Sequence, residues 1–171
     1  VDPLLCNAGL VSPAEGFLEF LREETERRGI VLIFDEVISF RVAWGGAQER
    51  FGIRPDLTTL GKIIGGGLAV GAFGGRAEVM NFYDPRGGKG RINHGGTFNA
   101  NPLTMAGGVA TMEQLTPDAY ARLDNLGNRL REGVGRVLRK QKYPGQITGT
   151  GSLFWLHHTK KRLTDYRSQR P

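Results

Sequence analysis

Residues 30–34, Ile-Val-Leu-Ile-Phe, form an unbroken apolar run that stops abruptly at Asp35-Glu36. A short run rich in β-branched residues predicts a strand buried on both faces. A helix is predicted before it. Ser12-Pro13-Ala14-Glu15 has the form of a capping box with proline at the first helical position. Phe17, Leu18 and Leu21 supply an apolar face, and Gly29 supplies the stop. A helix followed by a buried strand is the grammar of an α/β fold, in which a mainly parallel sheet is flanked by helices.

The rest of the chain extends that pattern. Leu57–Leu60 and Val70–Phe73 read as further strands, and Gln146–His157 as one or two more. Asn101-Pro102 opens a helix to about Leu115, and Thr116-Pro117 opens another. Leu123, Leu126, Leu130, Val134 and Leu138 recur there at spacings of three and four. A composition shift at Tyr143-Pro144-Gly145 marks the passage to a smaller C-terminal piece. The expected division is a main domain over 1–115, then a linking helix and an incomplete small α/β domain over 116–171.

Composition narrows the function classes. No apolar stretch approaches the ~20 residues of a membrane span. Cys6 is the only cysteine, so no disulfide framework exists, and no secretory signal pattern opens the chain. A cytoplasmic protein is expected. The net charge of +6 is concentrated late, with +5 over Arg122–Lys142 and +4 over Lys160–Arg170. No aromatic ladder accompanies it, so it reads as a solvated helix face, with no nucleic-acid partner expected. His94, His157 and His158 lack ligand spacing, so no metal is expected.

The chemistry lies at the predicted strand ends. In open α/β sheets, ligands bind beyond the carboxyl ends of strands. Asp35 stands at one such end, placed to hold a cationic group. Lys62 stands at another, between apolar residues and the triplet Gly65-Gly66-Gly67. Desolvation frees a lysine amine as a nucleophile, and glycines let backbone pass close to a planar ligand. A strand-end aspartate and a strand-end lysine on one rim suit pyridoxal phosphate. The lysine bonds to its aldehyde, and the aspartate keeps its ring nitrogen protonated. Arg41 is open to two roles, anchoring a substrate carboxylate or joining a surface ion pair.

The segments "FDEV" and "PDLTTLGKIIGGGLAVGAFGG" closely resemble the class III aminotransferases, with support from "GGTFNANPLTMAGG" and "VDPLLCNAGLVSP". Within that class the chain is most similar to the glutamate-1-semialdehyde 2,1-aminomutase branch. The resemblance implies part of the large domain of a fold-type-I pyridoxal-phosphate enzyme and the start of its small domain. It implies that Lys62 is the Schiff-base lysine and Asp35 the partner of the pyridine nitrogen. Val37 would pack against a ring face, and Asn7 would lie near the phenolic oxygen. Thr97 would bind the cofactor phosphate of the neighbouring subunit, which implies a homodimer with shared sites. Glu36 receives no catalytic role. The resemblance covers the later part of a family chain, so the phosphate-cup loop and the stacking aromatic are expected upstream, and an apolar edge is expected where those segments would cover it. "DEVISFR" stands where the aminomutases have "DEVMTGFR", and "GTFNANP" where they have "GTLSGNP". These departures bear on the substrate, not on the cofactor.

The function expected is amino-group transfer on a small amino or oxo substrate, aminomutase-like and intramolecular. The alternative is intermolecular transfer to a separate oxo acid. A non-covalent phosphate- or nucleotide-binding module is a third reading. Neither "GxxxxGK[ST]" nor a strand-GxGxxG-helix order is present to support it.

Overall fold

In the computed structural model, residues 1–87 and 92–169 are described. Gly88 and Gly90 of the glycine-rich loop and Arg170 of the basic tail lie outside them. The elements run α1 (Phe17–Arg27), β1 (Ile33–Asp35), α2 (Gly46–Phe51), β2 (Leu57–Gly61), β3 (Gly71–Gly75), α3 (Ala77–Met80), α4 (Pro102–Met112), α5 (Pro117–Lys140), β4 (Gln146–Thr148) and β5 (Trp155–His157). Short 3₁₀ turns occupy Ser39–Val42 and Lys62–Gly65.

The chain is α/β. Strands β1, β2 and β3 form one sheet in that order. β1 and β2 are parallel, with Asp35 opposite Thr59, and β3 returns antiparallel with Gly71 opposite Gly61. The parallel pair therefore carries the two strand ends of interest, and the short β2–β3 connection supplies the antiparallel partner. Val1 flanks the other side of β1, since its nitrogen donates to the Ile33 carbonyl and Asp35 N donates to the Val1 carbonyl, both at 2.8 Å. β4 and β5 form a separate antiparallel pair.

Helix α1 begins later than its capping-box pattern predicts. Gly16 is its N-cap in the left-handed region, φ 76°, without a side-chain cap. Leu5 and Val11 form an isolated bridge that fixes the chain just before Ser12. A helix starting at Ser12 would have to run through the left-handed Gly16, so it starts after it. The two later helices start where predicted. The Asn101 side chain accepts from Leu103 N and Thr104 N, and Thr116 Oγ1 accepts from Ala119 N.

β1 is not buried on both faces. Leu32 and Phe34 point into a core with Leu18 and Ile53, while Val31, Ile33 and Asp35 alternate onto an exposed face. A second core cluster joins Leu4, Cys6, Leu10, Val42 and Ala47, and Phe51 packs against both. Asp56, just before β2, ties these layers together. Its carboxylate accepts from Leu32 N at 2.7 Å, Arg22 at 3.0 Å and Arg76 at 2.9 Å.

The long helix α5 positions the β4–β5 hairpin. Arg131 Nη1 donates to the carbonyls of Gly151 and Leu153 at 2.7 and 2.9 Å. Gly127 lets the helix approach that loop, because a methyl group there would sit 2.1 Å from the Gly151 carbonyl oxygen. Arg50 pairs with Asp124 at 3.1 Å, fastening α2 to α5. The loop carrying Ser152 and Leu153 thus comes against residues more than 100 positions earlier.

Candidate active site

The period-two alternation of a strand decides which of two adjacent acids is available. Glu36 turns inward and is fully buried. It accepts from the amides of Ala47 and Gln48 and from the Gln48 side chain, which fastens the start of α2. Burial pushes its carboxyl above the usual range, against the pull of those donors. Asp35 turns the other way, onto the exposed face. Its Oδ1 accepts from Val37 N at 3.1 Å and from Thr59 Oγ1 at 3.2 Å. Its Oδ2 takes no hydrogen bond from the described residues, so the group is fixed at one oxygen and open at the other.

Lys62 follows the end of β2, next to β1 in the parallel pair. Its side chain is exposed, and its backbone has φ 48°, a left-handed conformation that costs a non-glycine residue about 1–2 kcal/mol. Strain of this kind concentrates at functional positions. Gly61 makes room beside it, because a methyl group there would lie 3.2 Å from Val37 Cγ1. Val37, Lys62 and Arg41 line one cavity of about 780 Å³, together with Leu68 and Leu153.

The first loop converges on the same place. Cys6 is buried within electrostatic reach of both Asp2 and Lys62, and burial pushes its thiol up to about 12. Asp2 is raised, by burial first and also by the Asp35 charge. Two carboxyl groups therefore crowd this corner, an arrangement that favours a cation between or beside them. Asn7 is exposed on the same loop. Thr97 is exposed in the loop before α4 and makes no hydrogen bond to Lys62, Asp35 or Val37 among the described residues. The structure thus brings Asp35, Val37 and Lys62 together with the Asn7 loop.

The glycines after Lys62 do a different job from the one their sequence suggests. Gly66 has φ 61°, and a methyl group there would lie 2.1 Å from the Gly107 carbonyl oxygen. One on Gly108 would lie 2.3 Å from the Ile64 carbonyl oxygen. They bring α4 onto the Lys62 turn, backbone against backbone, and so fix that turn from behind.

Sequence reasoning passed over Thr59, Ser152 and Leu153. Thr59 is signalled only by strand register. The other two arrive from the distant hairpin and have no local signal. Among the described residues no group of three or more His, Cys, Asp or Glu side chains is placed to hold a metal. No helix there is long and apolar enough to cross a membrane.

Comparison with known proteins matches residues 1–166 to the family model Aminotransferase class-III. The chain is 48% identical over 170 residues to glutamate-1-semialdehyde 2,1-aminomutase 2 of Brevibacillus brevis, covering 98% of this chain and 39% of that protein. It is 54% identical to an omega-transaminase from Sphaerobacter thermophilus, with a TM-score of 0.95 over 99% of this chain and 39% of that one. A structure described as a transaminase with PLP bound is 37% identical, with a TM-score of 0.88 over 94% of this chain and 38% of that one. The chain thus spans about two fifths of the length of these relatives.

Proposed function

The chain belongs to the class-III aminotransferases, and from that premise we propose that the whole protein is a pyridoxal-phosphate enzyme that moves an amino group. The observation that carries this reading is Asp35 and Lys62 at the ends of adjacent parallel strands. One has an open carboxylate oxygen. The other has an exposed amine on a strained backbone beside a cavity. A transaminase of the same fold has PLP bound.

The residues present fit that cofactor. Asp35 offers Oδ2 to a protonated ring nitrogen, with Asp2 adding negative charge nearby. Val37, held against Gly61, offers an aliphatic surface for a ring face. Asn7 is assigned to the phenolic oxygen and Lys62 to the covalent attachment. Thr97 serves the phosphate of a neighbouring subunit, which makes the working unit a homodimer. When bound, pyridoxal phosphate supplies an electron sink for the pair left on a substrate carbon that has lost its proton. With its amine released from the covalent attachment, Lys62 Nζ would take that proton and later return it, first base and then acid. The Asp35 carboxylate, held by Val37 N and Thr59 Oγ1, stabilises positive charge opposite it. Val37, Ile38 and Leu153 set apolar walls beside the amine.

The leading form of the reaction is aminomutase-like. The amino group leaves one carbon of the substrate and returns to its neighbour in the same molecule, as the identity to the Brevibacillus aminomutase supports. The second form is intermolecular, with the amino group passing to a separate oxo acid. The 54% identity to an omega-transaminase and the shortened "DEVISFR" loop favour it. Full-length protein incubated with glutamate-1-semialdehyde, with and without an added oxo acid, separates them. Conversion without the acid supports the mutase form, and strict dependence on it supports transfer between molecules. Undiminished turnover by Lys62→Ala in either format overturns the assignment. We further propose that residues 1–115 belong to the cofactor-binding domain and 116–171 to a link and small domain, in keeping with their separate sheets. A lone buried cysteine suits the cytoplasm.

A further inference from the structure

Among the described residues, the cavity beside Lys62 is lined by two cations and no carboxylate. Its walls are apolar, with Val37, Ile38, Leu68 and Leu153 among them, and the charged groups the described residues give it are Lys62 and Arg41. Arg41 lies in the Ser39–Val42 turn. Its Nη2 donates to Ser152 Oγ at 3.2 Å, and its Nε is buried without a partner. Other arginines of the chain are neutralised, Arg22 and Arg76 by Asp56 and Arg50 by Asp124. Arg41 forms no ion pair among the described residues.

A half-buried guanidinium facing an apolar cavity has lost water without gaining a counter-charge. An incoming carboxylate restores that loss and accepts two parallel N–H bonds from the planar fork. Lys62 cannot serve this purpose once its amine is committed to the cofactor. We propose that Arg41 is the specificity residue that binds the carboxylate of the substrate, so that the site takes amino acids or oxo acids with a short apolar body in preference to simple amines. Ser152 holds the guanidinium in position from the β4–β5 loop, and Leu153 covers the apolar part of the substrate. This inference rests on the reading of Lys62 as the cofactor-bearing residue.

The test compares butanoate with butanamide as competitive inhibitors of the full-length holoenzyme. The two share one carbon skeleton and differ in the charge and second acceptor oxygen that Arg41 is assigned to read. Wild-type enzyme is expected to bind butanoate on the order of 10-fold more tightly or better, the scale of a charge-assisted bond. In Arg41→Ala and Arg41→Gln the preference is expected to fall to within about 2-fold, with Arg41→Lys restoring part of it through charge alone. Ser152→Ala is expected to weaken the preference partially, a variant that leaves the cation itself in place. An unchanged preference in Arg41→Gln, or no preference in wild type, overturns the inference. Wild-type protein that retains no pyridoxal phosphate overturns the parent reading instead. Retained cofactor with inhibitor discrimination independent of Arg41 overturns this inference alone.

Discussion

Replacing Asp56 is expected to loosen the frame that holds the two strand ends together. Its carboxylate accepts three donors, from Leu32 N, Arg22 and Arg76. The Leu32 amide is buried, and a bond from it to an ionised acceptor is worth about 1.5–3 kcal/mol. Arg22 is 20% exposed and contributes about 1 kcal/mol, while Arg76, 56% exposed and screened by solvent, adds little. Asp56→Ala is therefore expected to cost about 3 kcal/mol in the full-length protein. Asp56→Asn keeps one oxygen for Leu32 N and turns its amide toward exposed Arg76, so it costs about half as much. Burial raises the Asp56 carboxyl, but the Leu32 amide and the two guanidiniums outweigh it and hold the group below its usual range. A lowered carboxylate stabilises above the unfolded value of about 4 and loses that contribution as pH falls through the folded value. Urea unfolding followed by tryptophan fluorescence measures the gap, and hydrogen exchange at the Leu32 amide localises it. The gap is expected to be flat from about pH 5 to 8 and to narrow as pH falls below about 4. An Asp56→Ala protein within about 0.5 kcal/mol of wild type at pH 7, or a gap that does not narrow on acidification, refutes the reasoning.

Asp35→Asn removes the charge but keeps the Val37 and Thr59 contacts, so it is expected to lower kcat by about 100-fold or more while circular dichroism stays unchanged. Gly66→Ala collides with the Gly107 carbonyl at 2.1 Å and is expected to reduce soluble yield or cost more than ~3 kcal/mol by thermal unfolding. Gly67→Ala meets nothing within 4 Å and is expected to cost only the backbone conformation, about 1–2 kcal/mol. Mixed dimers of Lys62→Ala and Thr97→Ala subunits are expected to exceed the mean activity of the two parent homodimers, since one of their sites is intact. No gain on mixing counts against sharing of the site.

Much of this arrangement was legible because it is local. The halt of an apolar run at Asp35 and the flanking glycines of Lys62 both mark strand ends without any tertiary information, and Asn101 and Thr116 announce their helices through their own side chains. Gly16 reverses one such local signal, since a single left-handed residue after a sound capping box moves the helix start to Phe17. The exposed face of β1 was not legible either. A five-residue apolar run is the same string whether one or both faces find a cover, and here Val31 and Ile33 are exposed. What remained hidden depends on register and on distant packing. Thr59 reaches Asp35 only through the β1–β2 register, and Ser152 reaches Arg41 across 111 positions. The glycine triplet suggested ligand approach, and its tightest contact is instead the backbone of α4.

Lys62 is the residue proposed to carry the cofactor. Borohydride reduction of the full-length holoenzyme, followed by digestion and peptide mass analysis, tests that role directly. A pyridoxyl group is expected on Lys62 and on no other lysine. A label on any other lysine, with Lys62 recovered unmodified, contradicts it.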